Sequence, residues 1–276
     1  MDVNKPLVSI VMPTYNRAEL IGKAIESILA QSYKNWELLV IDAISTDKTE
    51  DVIRKLNKKY PNIQYIKMLA DNPMISEKLN FGINIASGKY ISRLDDDDYW
   101  FDNEKLKLQT EFLENNSDYV LVGGGVIIVD EKYKELFKYF KREKFEDIRK
   151  NALIANPFMH NTVMFRKDIA LSLNGYRNIE FCEDWDLWLR MGLKGKFYNF
   201  RRYFTCWLSA GQNMSYTRHR EQSKFIFSII KKYKNQYPNY YKGLILNSIQ
   251  YFYTFTPELF RKRFHSFLIF FKRNYF

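Results

Sequence analysis

Tyr90-Ile91-Ser92-Arg93-Leu94-Asp95-Asp96-Asp97-Asp98-Tyr99-Trp100 is the stretch on which the reading of this chain turns. A short apolar run ends in four consecutive carboxylates, followed by two aromatics and an Asp/Asn/Glu group able to open a helix. Adjacent carboxylates repel one another, and more strongly as the local dielectric falls. Such a cluster is stable when it is fully solvated, when it caps a helix, or when a cation sits among the oxygens. A solvated turn at a helix N-terminus and a divalent-metal site therefore both fit this stretch, and its surroundings decide between them.

Working back toward the start, Leu7 to Met12 is a buried-strand pattern that stops at Pro13, and Pro13-Thr14-Tyr15-Asn16-Arg17 reads as a loop. Glu19 to Ala30 carries the apolar stripe of a helix. Trp36 to Ile41 predicts a second strand, ending at Asp42-Ala43-Ile44-Ser45-Thr46-Asp47-Lys48-Thr49, where Asp47 or Thr49 would cap the next helix. Ile63 to Ile66 predicts a third strand, Ser76 to Ala86 a helix closed by Gly88, and Tyr90 to Leu94 a fourth strand. Strands and helices alternate, so the first hundred residues read as βαβ units on a mainly parallel sheet. In open α/β sheets ligands bind beyond the carboxyl ends of the strands. Three such ends here carry polar groups: Thr14 to Arg17, Asp42 with Ser45 and Asp47, and Asp95 to Asp98.

The sequence has neither G-x-G-x-x-G nor G-x-x-x-x-G-K-[ST], which argues against a dinucleotide or P-loop site. Gly123-Gly124-Gly125, set between apolar pairs, suggests a bend within Tyr119 to Val129, read as a pair of strand segments. Glu104 to Leu113 predicts an amphipathic helix. The charged stretch Glu131 to Lys150 reads as an irregular acceptor-side loop or lid. Pro157 to Asn161, including His160, precedes a strand through Thr162 to Phe165. Glu183-Asp184-Trp185-Asp186-Leu187-Trp188-Leu189-Arg190 opens a helix whose acids suit its N-terminus.

The 276 residues, 46% hydrophobic and 27% charged, describe a folded α/β protein rather than a disordered one. Two cysteines, Cys182 and Cys206, form neither a disulfide framework nor a metal-ligand spacing. Asp2 and Asn4 ahead of a short strand predict no signal peptide, and no apolar run approaches the roughly 18 residues of a membrane span. The net charge of +11 is local. From Arg218 to Phe276 there are twelve Lys/Arg against two acids, leaving 31 basic and 30 acidic residues in the first 217. The basicity belongs to a tail and not to a nucleic-acid-binding body.

Four of these pieces, in this order, resemble the family 2 glycosyltransferases, the inverting type with the GT-A fold: Val8 to Arg17, the Asp42/Ser45/Asp47 loop, Leu94 to Asp98, and the Glu183 to Arg190 helix. The resemblance covers about residues 6 to 217. It implies a GT-A domain over residues 1–217 followed by a helical extension over 218–276, and a nucleotide-diphospho-sugar donor with Mn²⁺ or Mg²⁺ held by the acidic cluster. Asp95 and Asp97 take the places of the D-x-D pair, with Asp98 a further metal ligand. The nucleotide-sugar pocket falls on Pro13, Thr14, Tyr15, Arg17 and Asp42, with Asp95 or Asp96 toward the ribose and Lys78 toward the phosphates. Asp184 matches the catalytic base, Glu183 is the runner-up, and Asp186 is expected to point away as a surface or capping acid. His160 matches a polar position on the acceptor or phosphate side. Many members carry a second acid after the residue equivalent to Asp42, and here that place is Ala43, which leaves the base undetermined.

The tail reads as helical from Glu221, with breaks near Pro238 and Pro257. Its last segment places Phe260, Phe264, Phe267, Leu268 and Phe271 opposite Arg261, Lys262, His265, Lys272 and Arg273, a pattern suited to an anionic membrane surface. The expectation is a cytoplasmic enzyme, peripheral on the inner face of the cell membrane, using a glycan or lipid-linked acceptor in cell-surface polysaccharide synthesis. A nucleotidyltransferase would share the metal-bound acids but would need a Gly-rich basic loop after the first strand, which Pro13 to Arg17 is not. A non-enzymatic basic membrane-binding protein would leave the acids without a use.

Overall fold

The structure, a computed structural model, describes residues 5–70, 73–209 and 218–255. The amphipathic segment after Pro257 lies outside them.

Strands β1 (Val8–Thr14), β2 (Trp36–Asp42), β3 (Ile63–Lys67) and β4 (Tyr90–Arg93) alternate with helices α1 (Ile21–Leu29), α2 (Thr49–Lys59) and α3 (Ile75–Ile85). All pairings among these four strands are parallel. Then come β5 (Tyr99–Trp100), α4 (Lys105–Asn115), β6 (Tyr119–Val129), β7 (Glu135–Tyr139), α5 (Phe145–Asn151), a 3₁₀ turn (His160–Thr162), β8 (Met164–Arg166), α6 (Lys167–Ser172), α7 (Glu183–Met191) and β9 (Lys196–Leu208). The last two described helices are α8 (His219–Lys232) and α9 (Tyr240–Tyr253). The strands form one sheet in the order β3-β2-β1-β4-β8-β6-β9-β5, with β7 added to β6. Its second half is mixed: β8 runs antiparallel to both β4 and β6, whereas β9 runs parallel to β6.

The strand order reverses at β1. The chain winds from β1 through β2 to β3 on one side, then returns to place β4 on the other. Such a switch point opens a crevice at the strands' carboxyl ends, and here it lies between the Thr14 and Asp95 loops. Alternation in β1 and β2 divides the core. Val8, Ile10, Met12, Leu38 and Val40 pack with Ile21, Ile25 and Ile28 of α1 and with Leu106 of α4. Val11, Leu39 and Ile41 face Leu79 and Ile83 of α3, on the side that also holds Leu187, Trp188 and Met191 of α7. Each such side chain withdrawn from water contributes about 1.5–3 kcal/mol, so both faces of the sheet are fixed and α7 with them.

Three sequence expectations change. Pro13 lies inside β1, in register with Ile41, instead of ending it. It is tolerated because the β4 pairing reaches only to Val11, leaving that side of Pro13 without a ladder partner. The stretch Glu131 to Lys150 is not an irregular lid, since it contains β7, which pairs with β6, and helix α5. Tyr119 to Val129 is one strand rather than two, with register shifts against β9 around Gly123 and Gly125. Among the described residues no helix is long and apolar enough to cross a membrane.

Candidate active site

The loops after β1 and β2 are laced together by side-chain caps. Asn16, in the left-handed region at φ 52°, donates its amide to Ser45 Oγ (2.9 Å) and accepts the Thr46 amide at Oδ1 (2.8 Å). The Arg17 and Ala18 amides bond to Thr49 Oγ1 and Asp47 Oδ2. Asp47 Oδ1 also accepts the Thr49 amide at 2.9 Å, but Asp47 stands one residue before the N-cap of α2, which is Lys48 and not the Asp47 or Thr49 expected. Asp42 is fully buried: its Oδ1 accepts from the Ser45 amide and hydroxyl, and its Oδ2 from Tyr65 OH at 2.7 Å. Tyr15, half exposed, stands at the rim with its ring open to a flat partner, while Pro13 and Thr14 are buried beneath it.

Across the switch point the four aspartates are held individually. Arg93, buried at the end of β4, donates to both Asp95 oxygens, from Nη2 at 2.6 Å and from Nη1 at 3.0 Å. Asn161 accepts from Arg93 Nη1 (2.8 Å) and the Asp95 amide (3.1 Å) at Oδ1, and donates from Nδ2 to Asp98. The Leu208 amide at the end of β9 donates to the other Asp98 oxygen at 2.8 Å. Asp96 lies 3.5 Å from Arg17 Nε. Lys78 on α3 feels Asp96, Asp42 and Asp95, although burial is the larger influence and lowers its proton affinity.

Asp95, Asp97 and Asp98 can bring one oxygen each to within 4.8 Å of one another. Burial first, and Asp95 second, push Asp97 up to about 6. Burial pushes Asp96 up to about 7 and Asp98 well above the carboxylate range. Crowded carboxylates that hold their protons this tightly are short of positive charge. Hard oxygen donors in this arrangement suit Mg²⁺ or Mn²⁺.

The second acidic group opens α7. Cys182, at φ 62°, turns the chain into the helix, so that Glu183 and Asp184 occupy its first turn. Asp184 accepts from Asn156 Nδ2 at Oδ2 (2.7 Å) and from the Trp185 amide at Oδ1 (2.6 Å). Burial raises its proton affinity. Glu183 is pushed up to about 8 by burial and then by Asp184. His160 Nε2 meets Tyr176 OH at 2.8 Å, and burial holds the imidazole well below its usual range.

The structure brings the two acidic groups together. Consecutive residues of one 3₁₀ turn serve both: Asn161 braces Asp95 and Asp98, and His160 lies beside Asp184. The Arg93 charge acts on Asp97, Glu183, Asp184 and His160 alike. Asp186 departs from expectation, because it is 1% exposed and engaged by Arg177, Arg190 and Lys232 rather than pointing to solvent. Sequence reasoning missed Arg93, Asn161, Asn156 and Tyr176. Only Arg93, a charge inside an apolar strand pattern, left a signal that could have been read.

Residues 9–171 match the family model described as Glycosyl transferase family 2. EpsE of Bacillus subtilis (strain 168), provisionally named a glycosyltransferase, is 35% identical over 203 residues, covering 72% of this chain and 69% of EpsE. TuaG of the same organism, provisionally named a teichuronic acid biosynthesis glycosyltransferase, is 30% identical over 193 residues, covering 69% of this chain and 74% of TuaG. An uncharacterized glycosyltransferase of Rickettsia felis is 32% identical over 192 residues, and the chain spans only 30% of that longer protein. Among solved structures, S. aureus TarS 1-349 in complex with UDP-GlcNAc superposes with a TM-score of 0.67 at 17% identity, covering 94% of this chain and 75% of that one. The mannosyltransferase PcManGT from Pyrobaculum calidifontis, in complex with GDP-Man and Mn²⁺, gives 0.65 at 18% identity over 90% of this chain and 70% of that one. At these identities the structural likeness speaks for the fold alone, and the GT-A fold expected from the sequence is the one found.

Proposed function

This chain belongs to glycosyl transferase family 2, and from that premise we propose an inverting transfer of a sugar from a nucleotide-diphospho-sugar to a hydroxyl of a glycan or lipid-linked acceptor, in cell-surface polysaccharide synthesis. The observation that carries this reading is the single turn, His160–Asn161, that braces Asp95 and Asp98 of the acidic cluster on one side and lies beside Asp184 on the other. A metal-binding group and a candidate base held by adjacent residues suit a displacement in which one end of the reacting bond needs charge neutralised and the other loses a proton.

Asp97 and Asp98, with Asp95, would hold Mn²⁺ or Mg²⁺, which supplies positive charge for the departing diphosphate. Tyr15 lies against the base, Pro13, Thr14 and Asp42 shape the nucleotide pocket, Asp95 or Asp96 meets the ribose, and Arg17 and Lys78 face the phosphates. Asp184 accepts the acceptor hydroxyl's proton as the new O–C1 bond forms and the C1–O bond to the diphosphate breaks. Attack from the face opposite the leaving group inverts the anomeric centre. Burial of Asp184 raises its proton affinity, which brings a carboxylate closer to the strength a general base needs near neutrality. Asn156 and the Trp185 amide orient the same carboxylate, and His160 lies beside it.

The test is a hydrolysis screen of the purified full chain over nucleotide sugars with Mn²⁺. Slow hydrolysis of one donor, with its nucleoside diphosphate protecting against heat, supports the reading. No hydrolysis of any donor together with no protection by any nucleoside diphosphate overturns it.

We also propose that the C-terminal helices rest on an anionic lipid surface. Tyr241, Ile245, Ile249 and Phe252 form an exposed stripe along α9, each more than half exposed. Between 222 and 255 the sequence has Lys224, Lys231, Lys232, Lys234 and Lys242 and no acid. An exposed apolar stripe on a lysine-rich segment is a combination that such a surface selects.

A further inference from the structure

We propose that Asp186 is a positioning residue that clips the C-terminal helix α8 to the helix bearing the candidate base, so that residues 218–255 act as a working part of the catalytic unit. The inference rests on the glycosyltransferase reading above only for its kinetic readout.

Asp186 sits two residues beyond Asp184 and is 1% exposed. Its Oδ1 accepts from Arg177 Nη1 (2.9 Å), Lys232 Nζ (2.9 Å) and Tyr233 OH (2.8 Å), and its Oδ2 from Arg190 Nε (2.8 Å). Three cations and a phenol around one carboxylate exceed what a helix cap requires. Two of the four donors come from the end of α8, more than forty residues away in sequence. Tyr237, one turn further on, donates to the Leu189 carbonyl at 2.7 Å, so three side chains from this segment grip α7.

The same node reaches the acids by a second route. Arg190, held by Asp186, donates to the Leu173 and Gly175 carbonyls, both at 2.7 Å. Gly175 has φ +60°, and a Cβ there would fall 2.2 Å from Asn80 Oδ1. Asn80 in turn holds the Tyr176 amide and carbonyl, both at 2.7 Å. Tyr176 thus has a fixed backbone, and its hydroxyl meets His160 beside Asp184. The path leaves α7 at Asp186 and returns to it at Asp184, closing a ring. A side chain anchored by packed, satisfied neighbours holds its angle far better than one on a free helix end, and small misplacements of a catalytic group cost rate steeply.

The test uses Lys232→Met with Tyr233→Phe in the full chain. These changes remove the α8 donors while Arg177 and Arg190 still satisfy the buried carboxylate. Lys232 is 44% exposed, so its loss leaves no void. Expected is a fall in kcat for transfer or donor hydrolysis of about tenfold, with donor KM, nucleoside diphosphate affinity and Mn²⁺ affinity within about twofold of the parent. Lys232→Arg alone should keep kcat. An unchanged kcat in the folded double variant overturns the proposal, and so does an equal loss of nucleotide affinity, which would mark a general structural role. Hydrogen exchange does not depend on the reaction. The Trp185 and Asp186 amides should exchange faster in the double variant while those of β1 stay protected, and unchanged exchange at α7 overturns the clip even if no donor is found. Should the parent itself turn over no nucleotide sugar and gain no protection from any nucleoside diphosphate, the functional reading fails and the exchange result still decides the clip.

Discussion

His160 Nδ1 lies 3.9 Å from Asp184 Oδ2. With the imidazole held neutral by burial and by the Arg93 charge, this is a polar contact and not an ion pair. Among the described residues Asp184 thus has no cation bonded to it, and the Arg93 charge acts on it only at a distance, against the larger effect of burial. Its direct donors are the Asn156 amide group and the Trp185 backbone. Replacing Asp184 by Asn should lower transfer by about 10²–10⁴-fold, while Mn²⁺-dependent thermal protection by nucleoside diphosphates persists. Transfer within tenfold of the parent would move the base role to Glu183.

Asn161 binds neither substrate nor metal in the proposed scheme, yet it holds Asp95 and Asp98 in place. Partners of this kind orient the ligating oxygens. Asn161→Ala should weaken Mn²⁺ binding, read by calorimetry with a nucleoside diphosphate present, by about 10–100-fold. Affinity equal to the parent would mean that the acids need no brace.

The acidic cluster also sets a pH dependence. Asp97, Asp96 and Glu183 hold their protons up to about 6, about 7 and about 8, above the range of an unfolded chain. The folded state then binds more protons than the unfolded one, so these groups withdraw stability as pH rises from about 4 through those values. His160, with its affinity lowered, works in the opposite sense through the ordinary imidazole range. A cation among the carboxylates removes the penalty of ionising them. The difference in melting temperature between Mn²⁺ and EDTA should widen from pH 5 to pH 8, and a constant or narrowing difference would contradict the cluster's role as the metal site.

The α9 stripe gives a fourth test. Ile245→Glu with Phe252→Glu should abolish co-sedimentation with phosphatidylglycerol vesicles and leave donor hydrolysis in solution unchanged. Retained vesicle binding, or binding equal on neutral phosphatidylcholine, would remove this face as the contact.

Much of this was legible before any coordinates. The alternation of apolar runs and helix stripes up to Leu94 made β1 to β4 readable, because β1, β2 and β4 are buried on both faces and the code there is simple. The strand-end acids were visible because carboxylates seldom cluster without cause. β9 was not, since Arg201 and Arg202 interrupt its pattern where it passes an exposed stretch. Glu131 to Lys150 looked irregular because β7 is an edge strand with three of its five residues exposed, and its charges point to water. Asp186 was misjudged for a different reason. Arg190 is its i,i+4 neighbour on α7, but Arg177 and Lys232 lie outside the helix, and no local rule announces that a helix acid will also be met by cations from other elements. Asn161 and Asn156 were equally silent, as amides in loops are common and their partners are set by the folded chain.

The charge boundary near residue 218 invites a shortened protein, but the packing argues against cutting there. Trp185 and Leu189 share a buried cluster with Ile229, Tyr233 and Tyr237, so removing the last helices would lay an indole and a leucine bare beside the acids. Chimeras that pair this N-terminal half with a foreign tail would face the same problem, and any library of swaps should place its junction beyond Tyr237.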